Sequence, residues 1–203
     1  MGAGRDGDDL AFVKLGTGIG AGFIVRGHVF RGHGGTAGEI GHLVIDPHGP
    51  ACVCGLQGCL TTFAGTPAIL AAAARARASA PASLLPDGPL TLPVLLAAVR
   101  EGDPVARQVI GQIAERLGVA LAGLLNLLNP KTVVLGGELA TLGEALLHPV
   151  QAAIQQRSVW TAVANSRIVT SQLGERDVAL GAATQIIQVA LADPARFPVR
   201  WGA

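Results

Sequence analysis

The stretch GEIGHLVIDPHGPACVCGLQGC, residues 38–59, holds all three cysteines of the chain, Cys52, Cys54 and Cys59, together with Glu39, His42 and His48. An odd, clustered set of thiols does not make a disulfide framework, and it fits a reducing compartment. The spacing Cys-x-Cys-x4-Cys with a histidine upstream suits zinc. Structural zinc takes four nitrogen or sulfur donors in a tetrahedron, and three cysteines with one histidine are a common set. Gly55 and Gly58 permit tight turns that aim the sulfurs inward. His42 and His48 compete for the fourth position, and three buried thiols without a metal are the alternative reading. A metal also explains how residues 31–60, which show no regular periodicity, stay ordered; a connection this long in a compact domain is functional or tied down.

Upstream of this stretch, AFVKL (11–15) reads as a strand ending at glycine, and FIVRGHVF (23–30) reads as strand, turn, strand. The first 30 residues therefore predict a small antiparallel hairpin or meander. Downstream, helices dominate. Pro67 opens a helix continued by AILAAAARARA (68–78), and PASLLPDGPL (81–90) is a loop. A short helix spans residues 92–102, ending at Gly102. Asp103 then caps a long helix with Pro104 in its first turn, its apolar stripe running through Val105, Val109, Ile113, Leu117, Leu121 and Leu125. The second half of that helix, Val119 to Leu128, is almost wholly apolar and reads as buried. A buried strand at 131–135, a helix at 142–156, a strand at 167–171 and a final helix at 178–191 complete the pattern. Strand and helix alternating through short connectors imply an α/β fold with parallel pairing.

Composition narrows the function. Half of the 203 residues are hydrophobic and the formal charge is +1, with no basic run of the kind that marks a nucleic-acid face. No apolar run reaches the ~18 to 20 residues of a membrane span, and MGAGRDGDDL at the N-terminus lacks the apolar core of a secretory signal. The expectation is a soluble, cytoplasmic protein with no membrane partner.

Two glycine turns remain. GTGIGAG (16–22) offers unobstructed backbone amides that can cradle phosphate, or it is simply a hairpin turn. A β-like segment follows it, so the dinucleotide fingerprint does not apply. Gly136-Gly137, between a buried strand and a helix, allows the same two readings.

These pieces in this order, LGTGIGAG (15–22), GEIGH (38–42), CVCGLQGC (52–59) and VVLGGEL (133–139), resemble the ROK family, whose name covers repressors, open reading frames and kinases. The resemblance covers essentially the whole chain, and the GEIGH and CxCGxxGC pair is its specific part. It implies an actin- and hexokinase-like α/β fold with two lobes around a sugar cleft, residues 1–203 matching the C-terminal lobe with its zinc-binding loop. No Asp-x-Gly-x-Thr phosphate loop and no Asn-Asp pair with the family's catalytic aspartate occur in the sequence. By resemblance, His42, Cys52, Cys54 and Cys59 bind zinc, and Glu39 and His42 contact the sugar. Gly16, Thr17 and Gly18 match the second phosphate-side loop, and Gly136 and Gly137 the adenosine-side turn. One position departs from the family pattern. A sugar-binding glutamate is expected two residues after the last cysteine, and Thr61 stands there. Losing a carboxylate that accepts from sugar hydroxyls costs on the order of 1.5–3 kcal/mol.

The resemblance implies an effector-binding and oligomerisation module of a transcriptional repressor, taking a small sugar or sugar-phosphate ligand, dimeric, and meeting DNA only through a domain outside this stretch. The alternative is part of an ATP- and Mg²⁺-dependent sugar kinase, whose general base belongs to the other lobe. A third reading is a zinc-stabilised interaction domain without a small ligand.

Overall fold

Three strands, β1 (Leu10–Leu15), β2 (Ile19–Val25) and β3 (His28–Phe30), run antiparallel to their neighbours, and β4 (Thr132–Gly136) and β5 (Arg167–Thr170) add parallel strands beyond β1. The spatial order is β3-β2-β1-β4-β5. This computed structural model describes residues 3–4, 7–80 and 82–193.

Alternation along β1 sets the two faces of the sheet. Ala11, Val13 and Leu15 are fully buried, and Phe12 and Lys14 point to the opposite face. Every residue of β4 is buried, as a central strand with parallel neighbours on both sides should be. The meander is as the sequence reading expected, with one correction. Ile19 to Gly22 belong to β2, not to a glycine loop, and the turn is only Gly16 to Gly18. Gly20 and Gly22 pair with Lys14 and Phe12, and the ladder needs only their backbones. Gly136 likewise ends β4 rather than beginning the turn.

The helices are α1 (Thr61–Ala64), α2 (Thr66–Ala78), α3 (Leu92–Glu101), α4 (Pro104–Leu128), α5 (Glu144–Gln155), α6 (Trp160–Ala164) and α7 (Asp177–Ala192). Asp103 caps α4: its Oδ1 accepts from the Ala106 amide at 2.7 Å, and its Oδ2 accepts from the Leu84 amide at 2.6 Å and the Ser83 hydroxyl at 2.9 Å. One buried carboxylate thus starts the longest helix and fastens the 80s loop to it. Its burial pushes the carboxyl up, but the accepted bonds outweigh this and hold it below the usual aspartate value.

The whole predicted stripe of α4, from Val105 to Leu125, is buried in one continuous core with Val13, Leu15, Leu135, Leu146 and Ile154. α4 is long and apolar enough to meet the length and composition test for a membrane span, which the reading of apolar runs missed; 61% of the tested window is buried inside the fold, the mark of a core helix. Its last turn departs from the prediction, since Leu127 is 85% exposed and Leu128 is 44% exposed. α7 departs further. It leaves Val178, Leu180, Ile186, Ile187, Val189 and Leu191 exposed.

Candidate metal centre and ligand cleft

The cysteine loop is built from tight turns closed by short-range backbone bonds. The Cys52 amide donates to the Leu56 carbonyl at 2.8 Å and the Gly55 amide returns to Cys52 at 3.0 Å, with Gly55 at φ +90°. Gly58, at φ +72°, lies directly under the Asp46 carbonyl, where a Cβ has no room. Bridges from Val44 to Cys59 and from Ala51 to Gln57 complete the loop. Each glycine that the sequence placed beside a cysteine is therefore doing conformational work that other residues resist.

The turns bring four donors together. One donor atom each from His42, Cys52, Cys54 and Cys59 all lie within 4.8 Å of one another. His42 Nδ1 is 3.5 Å from Cys52 Sγ, and Cys54 Sγ is 3.6 Å from Cys59 Sγ. Tetrahedral zinc with Zn–S bonds of about 2.3 Å separates its sulfurs by about 3.8 Å, so the residues fit the metal. His48 is not in the group; its amide donates to Asp46 Oδ1 at 3.1 Å in a local turn.

The thiols have unlike environments. The Leu56 amide donates to exposed Cys54 and, with smaller contributions from the neighbouring thiols and His42, holds it at about 7. Burial pushes Cys59 up to about 12, and the two other cysteines add to this. Cys59 is fully buried. A buried thiol beside two others ionises readily only around a cation, and a bound divalent ion deprotonates its cysteines outright.

The segment carrying Glu39 lies on β2. The Ala21 amide donates to Gly38 O at 2.7 Å. A Cβ on Gly38 would strike the Ala21 carbonyl, and one on Gly41 the Ile19 carbonyl. The two glycines of GEIGH are what let this segment touch the sheet. Glu39 then projects into solvent, its Oε2 4.0 Å from His42 Nε2. His42 thus offers one nitrogen to the sulfur cluster and the other to the exposed carboxylate.

Thr61 opens α1 immediately after the cluster. Its hydroxyl and the Thr17 carbonyl converge on Gly65, lying 3.1 Å and 2.9 Å from where a Cβ would stand. The Thr66 amide donates to Gly16 O at 3.0 Å. The Gly16–Gly18 turn is therefore fastened to the junction of α1 and α2, and Gly18 faces open space. Gly137, at φ +87°, packs against the Leu15 carbonyl. The two glycine turns accordingly sit side by side at the carboxyl ends of β1 and β4, the edge of an α/β sheet where ligands bind.

One residue escaped the sequence reading. Asp177 is 6% exposed. Its Oδ2 accepts from the Gly137 amide at 3.0 Å and its Oδ1 accepts from the Val178 amide at 2.7 Å. The Gly137 amide is thus already occupied. The available signal was an aspartate in the first turn of an otherwise apolar helix, where a carboxylate meets free amides.

Comparison with known proteins agrees with this architecture. The ROK family model matches residues 1–189. The chain is 33% identical over 198 residues to a xylose repressor from Caldicellulosiruptor bescii, covering 92% of this chain and 48% of that protein. The crystal structure of a ROK family glucokinase from Streptomyces griseus, in complex with glucose and AMPPNP, superposes with a TM-score of 0.79 at 31% identity, covering 86% of this chain and 59% of that one. A ROK family transcriptional regulator, a homologue of the Escherichia coli MLC protein, gives 0.79 at 34% identity, covering 84% and 43%. The chain spans about half the length of the relatives it matches. With its glycine turns, its GEIGH segment and its Cys3His cluster in one α/β sheet framework, the chain belongs to the ROK family.

Proposed function

We propose that residues 1–203 are the C-terminal lobe of a cytoplasmic ROK transcriptional regulator, serving as its sugar-sensing and dimerisation module with a structural zinc. In this reading the other lobe and the DNA-binding domain lie outside this stretch. The observation that carries the reading is the position of Glu39. It is exposed, its carboxylate lies 4.0 Å from His42 Nε2, and it stands three residues before His42, a member of the Cys3His group. Zinc held by His42, Cys52, Cys54 and Cys59 would fix that loop. Glu39 would accept from a sugar hydroxyl and His42 Nε2 would meet a second one, as a metal-bound imidazole orients its remaining nitrogen. Ligand contact would then be felt by the zinc-tethered loop and passed to the arrangement of subunits.

Two measurements test this. Elemental analysis should find about one zinc per chain, the stoichiometry of a single tetrahedral site. Calorimetry with glucose, N-acetylglucosamine and xylose should give saturable heat for at least one sugar, abolished by Glu39→Ala. A folded protein that binds none of them at millimolar concentration rejects the sensing role.

A kinase reading has its own support in the similarity to the glucose- and AMPPNP-bound glucokinase and in the adjacent turns at Gly16–Gly18 and Gly136–Gly137. There the turns would face ATP and Mg²⁺. The transfer also needs a base for the attacking hydroxyl, and in this reading Glu39 binds the sugar while the base comes from the other lobe. Sugar-dependent ATP consumption by the full-length protein separates the two readings.

A further inference from the structure

On the core side of the sheet, away from the Phe12 face where Asp177 starts α7, helices α2 and α4 form the walls of an open groove of about 710 Å³. Three arginines line it, and they are not equivalent. Arg157 is already engaged: it donates to Glu115 at 2.7 Å and to the Ala153 carbonyl at 2.8 Å. Arg116 lies over the Phe63 ring at 4.5 Å, and its nearest carboxylate oxygen, on Asp46, is 3.6 Å away, beyond a hydrogen bond. Arg75 has no acceptor among the described residues. Arg75 on α2 and Arg116 on α4 therefore both line the groove, together with Ala68, Ala72 and Ile113.

We propose that this groove binds a small organic phosphate, with the oxyanion held between Arg75 and Arg116 and the carbon skeleton resting on Ala68 and Ala72. A guanidinium fork matches phosphate geometry, and Arg75 is the one groove arginine without a carboxylate partner among the described residues, since Asp46 lies beside Arg116 and Glu115 pairs with Arg157. Glu39 and His42 do not line the groove, so the site is separate from the proposed sugar cleft and does not depend on it. Its link to the metal loop is the Asp46–Arg116 contact together with Pro50, which stands at the groove's rim.

Calorimetry on the whole chain at low salt tests the proposal, with glucose 6-phosphate as the probe. Glucose and inorganic phosphate serve as separate controls. Arg75→Gln alters an exposed side chain with no hydrogen-bond or ion-pair partner among the described residues, so the fold should persist. It should weaken glucose 6-phosphate at least about tenfold, the usual worth of one charge-assisted contact, and Glu39→Gln should leave that affinity unchanged. Absence of binding at millimolar probe overturns the site, as does an affinity that Arg75→Gln does not alter. An affinity lost in Glu39→Gln places the probe in the sugar cleft and overturns it too. Equal affinity for inorganic phosphate reduces the groove to a bare-anion site and refutes the organic ligand. The sugar-sensing proposal is read separately, with the unphosphorylated sugars and Glu39→Ala, so absence of glucose 6-phosphate binding does not reject it.

Discussion

Nδ1 of His42 stands 3.5 Å from Sγ of Cys52, although ten positions separate the two in sequence. The contact joins the GEIGH segment lying on β2 to the cysteine turn. Without a metal it is a weak polar contact. With zinc between the two atoms it becomes a covalent-strength clamp on the whole loop, because metal affinity adds to folding free energy.

Cys59→Ala should therefore act on the fold as well as on the metal. It removes a fully buried thiol and opens a void beside Leu60. We expect zinc to fall from about one per chain to near zero, and the melting temperature to drop by about 10 °C, as a loss of about 3 kcal/mol does in a domain of this size. Cys54→Ser, at the exposed corner of the cluster, should release zinc with a smaller thermal shift. Retention of both metal and melting temperature in Cys59→Ala excludes the site.

Gly38→Ala tests the seat of the same loop from the sheet side. Gly38 sits at φ +109° against the Ala21 carbonyl, so a methyl group meets both strain and collision. The expected cost is about 3 kcal/mol, with weaker zinc retention because His42 moves with the segment. Denaturant unfolding followed with a zinc-sensitive dye reads both effects.

How far the sequence discloses this site depends on what kind of signal each part carries. The cysteine turn was legible because ligand chemistry restricts residue type and spacing, and Asp103 because a helix cap followed by proline is a local signal. The short helices α1 and α6 were not, since four or five residues hold too little of a 3.6-residue period. Ile19 to Gly22 read as a loop because glycine marks turns, yet their pairing with β1 is decided by backbone bonds that no side chain announces. The choice of His42 over His48 came from family resemblance. The structure explains it by the seating of Gly38 and Gly41 on β2, a long-range contact invisible in local spacing. The exposure of α7 was likewise hidden, because an apolar helix reads the same whether or not something covers it.

Thr61→Glu restores the carboxylate that the family pattern leads one to expect. Thr61 is half-buried at the start of α1, where the helix N-terminus favours a negative charge. The variant should bind its sugar about tenfold more tightly than the parent, by the worth of one charge-assisted hydrogen bond, with zinc content unchanged. Titration calorimetry against the same three sugars gives the comparison. An unchanged affinity would mean that position 61 does not face the ligand.

Asp103 gives a pH-dependent test that involves no ligand. Its folded-state pKa is lowered, because the bonds from Ala106, Leu84 and Ser83 overcome the cost of burial. A carboxyl depressed in this way adds stability at every pH above its unfolded value of about 3.9, and that stability disappears as pH falls through the folded value. Asp103→Ala orphans the three donors, and at pH 7 it should cost about 3 kcal/mol, from a lost cap and unsatisfied buried groups. Urea unfolding between pH 7 and pH 3 should show the gap between parent and variant constant down to about pH 5 and narrowing below pH 4, where the parent begins to take up the proton. A gap that widens on acidification would mean that Asp103 is held protonated in the folded state, contrary to the acceptor role that its three short bonds assign.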